Sequence, residues 1–210
     1  MVLYGALKPF AVGIMRLLFR LEVSGREHVP AAGPVLLVSN HVSVLDPPFI
    51  GGAAPRELYF MAKEELFRVP LFGRLIHALN ARPVKRDGSD GRALKAALRL
   101  LAEGRALLVF PEGTRGRDGR LGEGKPGVGM LALMSDAAVV PAYVSGTEQA
   151  LPSGRAMPRL AKVRVRFGPP LSFKPADDEP RKDRYREASR EMMRAIGQLR
   201  DEQVAVRAGC

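Results

Sequence analysis

The chain predicts one α/β domain: a mostly parallel central sheet with helices on both faces, preceded by an amphipathic helix at a membrane interface. Three observations carry this. Short β-rich apolar runs alternate with segments of helical periodicity, and such alternation needs crossover connections that lay helices on a parallel sheet. The 210 residues suit one sizeable core rather than two. No convincing repeat or low-complexity tract interrupts the pattern.

Residues 1 to 21 are strongly apolar but interrupted by Lys8, Arg16 and Arg20, so no uncharged run reaches the roughly 18 residues of a membrane-spanning helix. At about 100° per residue, Leu3, Leu7, Phe10, Ile14, Leu17 and Leu21 share one face and the three cations gather on another. Two readings fit: a helix packed on the protein's own core, or one lying in the membrane interface with basic side chains toward headgroups. A start at Pro9 is also compatible with the pattern. The charges dividing the apolar part, and the lack of a small-residue cleavage site, argue against a signal peptide.

Strand-like runs follow at Leu21 to Ser24, Val35 to Ser39, Glu57 to Met61, Pro83 to Lys85, Ala106 to Phe110, Val139 to Ser145 and Lys162 to Phe167. Between them helices are expected at Pro47 to Gly52, Leu71 to Leu79, Arg92 to Glu103 and Val128 to Met134. The third of these has the best periodicity, with Leu94, Ala97, Leu98 and Leu101 on one side and Arg92, Lys95, Arg99 and Glu103 on the other. A last helix, Arg181 to Leu199, is expected to bury Tyr185, Met192, Ile196 and Leu199. The divisions are then a membrane-associating helix at 1–21, the α/β domain at 22–200 and a flexible tail at 201–210.

The 33 Lys and Arg residues against 22 Asp and Glu give a net charge of +11. That balance points to a polyanionic partner: nucleic acid, an anionic membrane surface or phosphate-bearing substrates. Nucleic acid is disfavoured, because the cations are dispersed and no zinc spacing, recognition-helix pattern or aromatic stacking signature accompanies them. The one cysteine, Cys210, cannot form an internal disulfide and lacks a lipidation context. No Cys/His cluster or carboxylate constellation suggests a metal.

Chemistry is expected first at Ser39-Asn40-His41-Val42-Ser43-Val44-Leu45-Asp46-Pro47, where a buried strand ends. Asp46 could accept a hydrogen bond from one nitrogen of His41 and leave the other free to take a proton from an alcohol. The plainer readings are a helix cap at Asp46, with proline at the first helical position, and a polar strand end at His41. A capping carboxylate has a second oxygen, so the two readings are compatible. Further on, Ala106 to Arg115 reads as a strand stopped by Pro111 and opening into Glu112-Gly113-Thr114-Arg115. A glycine turn, a hydroxyl and a guanidinium there could converge on a phosphate; a strand-ending turn with a surface arginine fits equally. Arg82-Pro83-Val84-Lys85-Arg86 sets three cations on a short strand, solvated edge charges by default, with alternation placing Lys85 opposite Arg82, Val84 and Arg86.

Together these blocks resemble the glycerolipid acyltransferases typified by 1-acylglycerol-3-phosphate acyltransferase. Asn40 to Asp46, Arg82 to Arg86, Phe110 to Arg115 and Val139-Val140-Pro141-Ala142-Tyr143 agree in order and spacing, with Met61 to Leu66 and Gly127 to Ala132 between them similar too. The resemblance covers roughly residues 20 to 170. It implies that His41 is a general base oriented by Asp46, and that Glu112, Gly113, Thr114 and Arg115 bind the acceptor's phosphate region with Lys85 and Arg86 assisting. Val140-Pro141 would line the acyl or donor side. The implied reaction moves a fatty acyl group from acyl-CoA or acyl-carrier protein, as co-substrate and with no cofactor, to the sn-2 hydroxyl of 1-acylglycerol-3-phosphate, forming phosphatidate. No covalent acyl-enzyme is implied, and Ser43, with no second His nearby in sequence, is not proposed as a nucleophile. Asn80 where many members have glycine, and Gly124-Lys125-Pro126 in place of a Phe-Lys-Lys-like stretch, bear on the acceptor pocket rather than on the reaction. His28 and His77 are read as structural.

The expected protein is a peripheral membrane enzyme on the cytoplasmic face of the cell membrane, with anionic lipid and lysophosphatidate or a similar lysolipid as partners and no nucleic acid. Alternatives are another lysolipid or amine-bearing acceptor, a thioesterase or lysolipid hydrolase in which His41 activates water, and a non-catalytic module binding anionic membranes.

Overall fold

A computed structural model describes residues 2–84, 91–116, 120–155, 157–173 and 181–208. In chain order the elements are α1 (Val2–Phe19), β1 (Glu22–Ser24), β2 (Val35–Ser39), α2 (Asp46–Ala53), β3 (Leu58–Lys63), α3 (Phe72–Ala78), β4 (Ala81–Val84), α4 (Gly91–Ala102), β5 (Ala106–Val109), α5 (Pro126–Met134), β6 (Ala138–Ser145), α6 (Thr147–Ala150), β7 (Arg164–Phe167) and α7 (Arg181–Ala208). All seven expected strands form, with small shifts in their ends. The expectation missed α6 and two 3-10 turns, Arg26–His28 and Glu64–Arg68, because one-turn elements carry no readable period. Residues 201–208 continue α7 rather than forming the expected flexible tail. Gln203 is buried there, its amide donating to Ser145 Oγ at 2.5 Å.

The strands form one sheet in the order β1-β7-β6-β2-β5-β3-β4. From β6 to β4 all neighbours are parallel. β7 runs antiparallel to β6 and carries β1 parallel to itself. β2 lies at the centre, pairing Val35 with both Ala106 and Ala138, and all five of its residues are buried. Such two-sided burial is why it reads as an unbroken apolar run.

Its alternating side chains enter two cores. Val35 and Leu37 join Phe49, Ile50 and Ala53 of α2; Leu36 and Val38 join Ala97 and Leu101 of α4, Val128 and Leu131 of α5, and Met192 and Ile196 of α7. The helix after β2 therefore covers one face and the helix after β5 the other. The carboxyl ends of these adjacent strands are the place where sheets of this kind bind ligands.

Helix α1 begins at Val2 and holds Pro9 inside it rather than starting there. Its contact stripe also differs from the expected one. Met15 and Phe19 pack on the α2 core, Phe19 meeting Phe49 edge to face at 5.2 Å. The Lys8 ammonium donates to the carbonyls of Ala54 (2.7 Å) and Arg56 (3.1 Å). Burial, with Arg26 adding to it, holds that ammonium below its ordinary value of 10.5. At about 100° per residue Lys8, Val12, Met15 and Phe19 form one stripe and Phe10, Ile14 and Leu17 the opposite one. The latter stripe, expected to be the apolar contact face, stands open: Phe10 is 71% and Leu17 80% exposed. Lys8 thus leaves the group of cations expected to face headgroups, because the carbonyls ending α2 are better partners for it.

Candidate active site

The chain leaves the sheet at Asn40. Its buried side-chain amide donates to Val144 O (2.9 Å) and accepts from Val144 N (2.8 Å), extending the β2–β6 ladder with a side chain. The backbone is thereby free to turn, and His41 follows just beyond the carboxyl end of β2.

Nδ1 of His41 lies 2.7 Å from Oδ2 of Asp46, the first residue of α2. The carboxylate does not cap that helix. Pro47 and Pro48 remove two of the amides a cap would serve, and Oδ2 instead accepts from the loop amides of Val42 (2.7 Å) and Ser43 (2.8 Å). The other oxygen, Oδ1, accepts from the hydroxyl of Thr147 at 2.5 Å. Asp46 is completely buried, so four donors replace the water it has lost. With Oδ2 accepting, Nδ1 of His41 is the donor in this contact, and Nε2 is the ring nitrogen turned away from the carboxylate. Ser43 Oγ accepts from Leu45 N at 3.3 Å, as a turn residue does.

The loop after β5 grips the same histidine. Phe110 stacks on the imidazole, centroids 4.0 Å apart and planes at 16°. The buried Glu112 carboxylate accepts from His41 N (3.2 Å) and Gly122 N (3.0 Å). Gly116 N donates to His41 O at 2.7 Å. With both backbone groups and one ring face engaged, the side chain of His41 is 13% exposed.

Glu112, Gly113, Thr114 and Arg115 are thus brought beside His41, with different parts to play. The Glu112 carboxylate is occupied by backbone amides, one from the far end of its own loop and one from the loop after β2, and ties the two loops together. Gly113 sits at φ 70°, and a β-carbon there would lie 2.8 to 2.9 Å from Cε, Cδ and Nζ of Lys125. The positive φ is what favours glycine at this turn, since the end of the Lys125 side chain could shift aside. Thr114 and Arg115 are exposed, and the Gly116–His41 bond holds the peptide after Arg115 against the His41 loop. The remaining expected pair, Lys85 and Arg86, falls outside the described residues; Arg82 stacks over Tyr59, its guanidinium carbon 5.2 Å from the ring centre. His28, read as structural, lies with Nδ1 3.0 Å from Phe167 O.

Sequence reading missed three contributors. Phe110 ends a strand run and opens the Phe110 to Arg115 block, and neither reading gives its ring a part. Lys125 had been noted as a departure from a pattern, not as the side chain lying across the Gly113 turn. Thr147 follows Gly146 in a loop with no local signal at all; only the pairing of β6 with β2 brings it to Asp46.

A family model for acyltransferases matches residues 20–145, more than half the chain. The chain belongs to the acyltransferase family. This acyltransferase is 32% identical over 163 residues to the chloroplastic 1-acyl-sn-glycerol-3-phosphate acyltransferase LPAT1 of Arabidopsis thaliana, covering 76% of this chain and 46% of the relative. It is 29% identical over 181 residues to the 1-acyl-sn-glycerol-3-phosphate acyltransferase of Bacillus subtilis, covering 85% of this chain and 87% of the relative. The crystal structure of the 1-acyl-sn-glycerophosphate acyltransferase PlsC from Thermotoga maritima superposes with a TM-score of 0.74 at 30% identity, covering 94% of this chain and 79% of that one. The chain spans about half the length of the plant relatives it matches.

Proposed function

We propose that this acyltransferase moves a fatty acyl group from acyl-CoA or acyl-carrier protein to the sn-2 hydroxyl of 1-acylglycerol-3-phosphate, forming phosphatidate. The observation that carries the reading is the imidazole of His41, its Nδ1 against Asp46 and its backbone N–H bonded to Glu112 of the Glu112–Arg115 turn. Nε2 takes the proton of the acceptor hydroxyl as its oxygen attacks the thioester carbonyl. The tetrahedral intermediate collapses with cleavage of the carbon–sulfur bond, and the thiolate leaves with the proton returned by the imidazolium. A base of this kind supplies about 100- to 10,000-fold; holding two amphiphiles in register supplies much of the rest.

Arg115 and Lys125, with Lys85 and Arg86, are the cations assigned to the acceptor phosphate. Arg115→Ala is expected to lower kcat/KM for the phosphate-bearing acceptor by about 10- to 100-fold, the worth of a lost charged hydrogen bond, while a lysolipid without a terminal phosphate monoester is hardly affected. A panel of acceptors assayed with parent and variant tests this. Equal losses on both acceptors would remove the phosphate clamp, and thiol release without any lipid acceptor would make the protein a hydrolase instead.

The protein is proposed to work as a peripheral enzyme at the cytoplasmic face of an anionic membrane. Among the described residues no helix is long and apolar enough to cross a membrane. The open stripe of α1 supports interfacial seating, as does a second exposed apolar group, Val69, Leu71, Phe72 and Leu75, in and before α3. Phe10→Glu with Leu17→Glu should lower partition onto vesicles of mixed anionic lipid at least about tenfold, since each side chain forfeits about 1.5–3 kcal/mol of apolar burial. Vesicle sedimentation measures it; unchanged binding would move the contact away from α1.

A further inference from the structure

The carboxylate that orients His41 is itself oriented from a distant part of the chain. Thr147 opens α6 immediately after β6, two residues past the segment matched by the family model. It is completely buried, and its hydroxyl donates to Asp46 Oδ1 at 2.5 Å. The other carboxylate oxygen serves His41, Val42 and Ser43, so Thr147 acts on the side of the carboxylate away from the imidazole.

Its placement is rigid. Gly146 adopts φ 89°, and a β-carbon on it would lie 2.0 Å from Lys162 O; only glycine fits that corner. Gly146 N donates to Glu148 Oε2 (2.9 Å), Gly146 O accepts from Ala150 N (2.8 Å), and the strand leading in is clamped to the catalytic loop by Asn40 at Val144.

A carboxylate bound at one oxygen alone can rotate about its Cβ–Cγ bond, and a small rotation moves Oδ2 off the line to Nδ1. We propose that Thr147 is a positioning residue: its buried hydroxyl fixes the plane of the Asp46 carboxylate and so fixes the tautomer and direction of the His41 imidazole. The inference rests on the general-base reading of His41.

The test is a kinetic comparison of four variants. Thr147→Val keeps the volume and removes the hydroxyl. It should lower kcat about tenfold, the equivalent of one buried hydrogen bond, with both KM values within about twofold, and Thr147→Ser should restore kcat to within about threefold. In proton NMR the downfield Nδ1–H resonance, absent from His41→Ala, should move in Thr147→Val and return in Thr147→Ser. Thr147→Val should lower kcat less in an Asp46→Asn background than in the parent, because the direction it fixes then serves a neutral partner. If Thr147→Val does not fold, Thr147→Ala is measured in its place with the same expectations. Parent-like kcat in the hydroxyl-free variant, a serine variant that restores nothing, or full additivity with Asp46→Asn would each overturn the proposal. Should His41→Ala itself retain turnover, the general-base reading fails first, a separate outcome.

Discussion

His41→Ala is expected to lower turnover by about 100- to 10,000-fold, the range of a lost general base, and to leave the protein folded and bound to vesicles. The stability side follows from the partners left behind. Asp46 loses one donor but keeps the amides of Val42 and Ser43 and the Thr147 hydroxyl, so its buried charge is not stranded. The cost is one hydrogen bond and the stacking on Phe110, about 1–2 kcal/mol together, or a fall in Tm of a few degrees for a chain of this size. The backbone bonds of His41 to Glu112 and Gly116 are independent of the side chain, so the loop keeps its course and acceptor binding should survive. Turnover is read as thiol released with acceptor present, and binding by vesicle sedimentation. Turnover within about threefold of the parent would eliminate His41 as the base; turnover and vesicle binding lost together would mean that the substitution disrupts the fold.

Much of this arrangement was legible in the sequence because its signals are local. Four consecutive apolar residues, Val35 to Val38, mark β2 as buried on both sides, and the polar residues after them mark the strand's end; His41 and Asp46 lie within one loop, where spacing alone limits their separation. The Glu112–Arg115 turn was legible for the same reason, since Pro111 must stop the strand and Gly113 must turn the chain. Long-range pairing was not legible. Nothing near residue 147 indicates that a threonine will meet a carboxylate 101 positions earlier, and the identity of that neighbour is decided by β6 lying beside β2. The role of the Glu112 carboxylate was hidden in the same way, because its partners are backbone amides, one of them in the distant loop after β2. Helix α1 misled for another reason: it is apolar on two opposite sides, and periodicity ranks stripes by hydropathy without saying which one meets the protein. Lys8 decided the matter by reaching the carbonyls that end α2.

Asp46→Asn is expected to lower kcat by about 100- to 1,000-fold with a much smaller loss of stability. An amide can enter this site in two orientations. With its nitrogen in the place of Oδ2 it would face the N–H groups of Val42, Ser43 and His41, three donors against a donor, a conflict of several kcal/mol in a fully buried position. With its oxygen there instead, those three bonds persist, and the nitrogen faces the Thr147 hydroxyl, which can turn and accept. The second orientation prevails, so the loop and the Nδ1–H tautomer are retained. What disappears is the negative charge 2.7 Å from the ring. The imidazolium that forms as the acceptor loses its proton is then met by a neutral oxygen, and the contrast between a charged and a neutral hydrogen bond in a dry site amounts to about 3–4 kcal/mol of transition-state stabilisation. Because the uncharged ground state is nearly untouched, kcat should fall while KM for both substrates changes less than about threefold. Steady-state kinetics paired with a thermal melt separates the two effects. A variant with parent-like kcat would show that the carboxylate only shapes the loop, and a melt lowered by ten degrees or more would show that the amide takes the conflicting orientation.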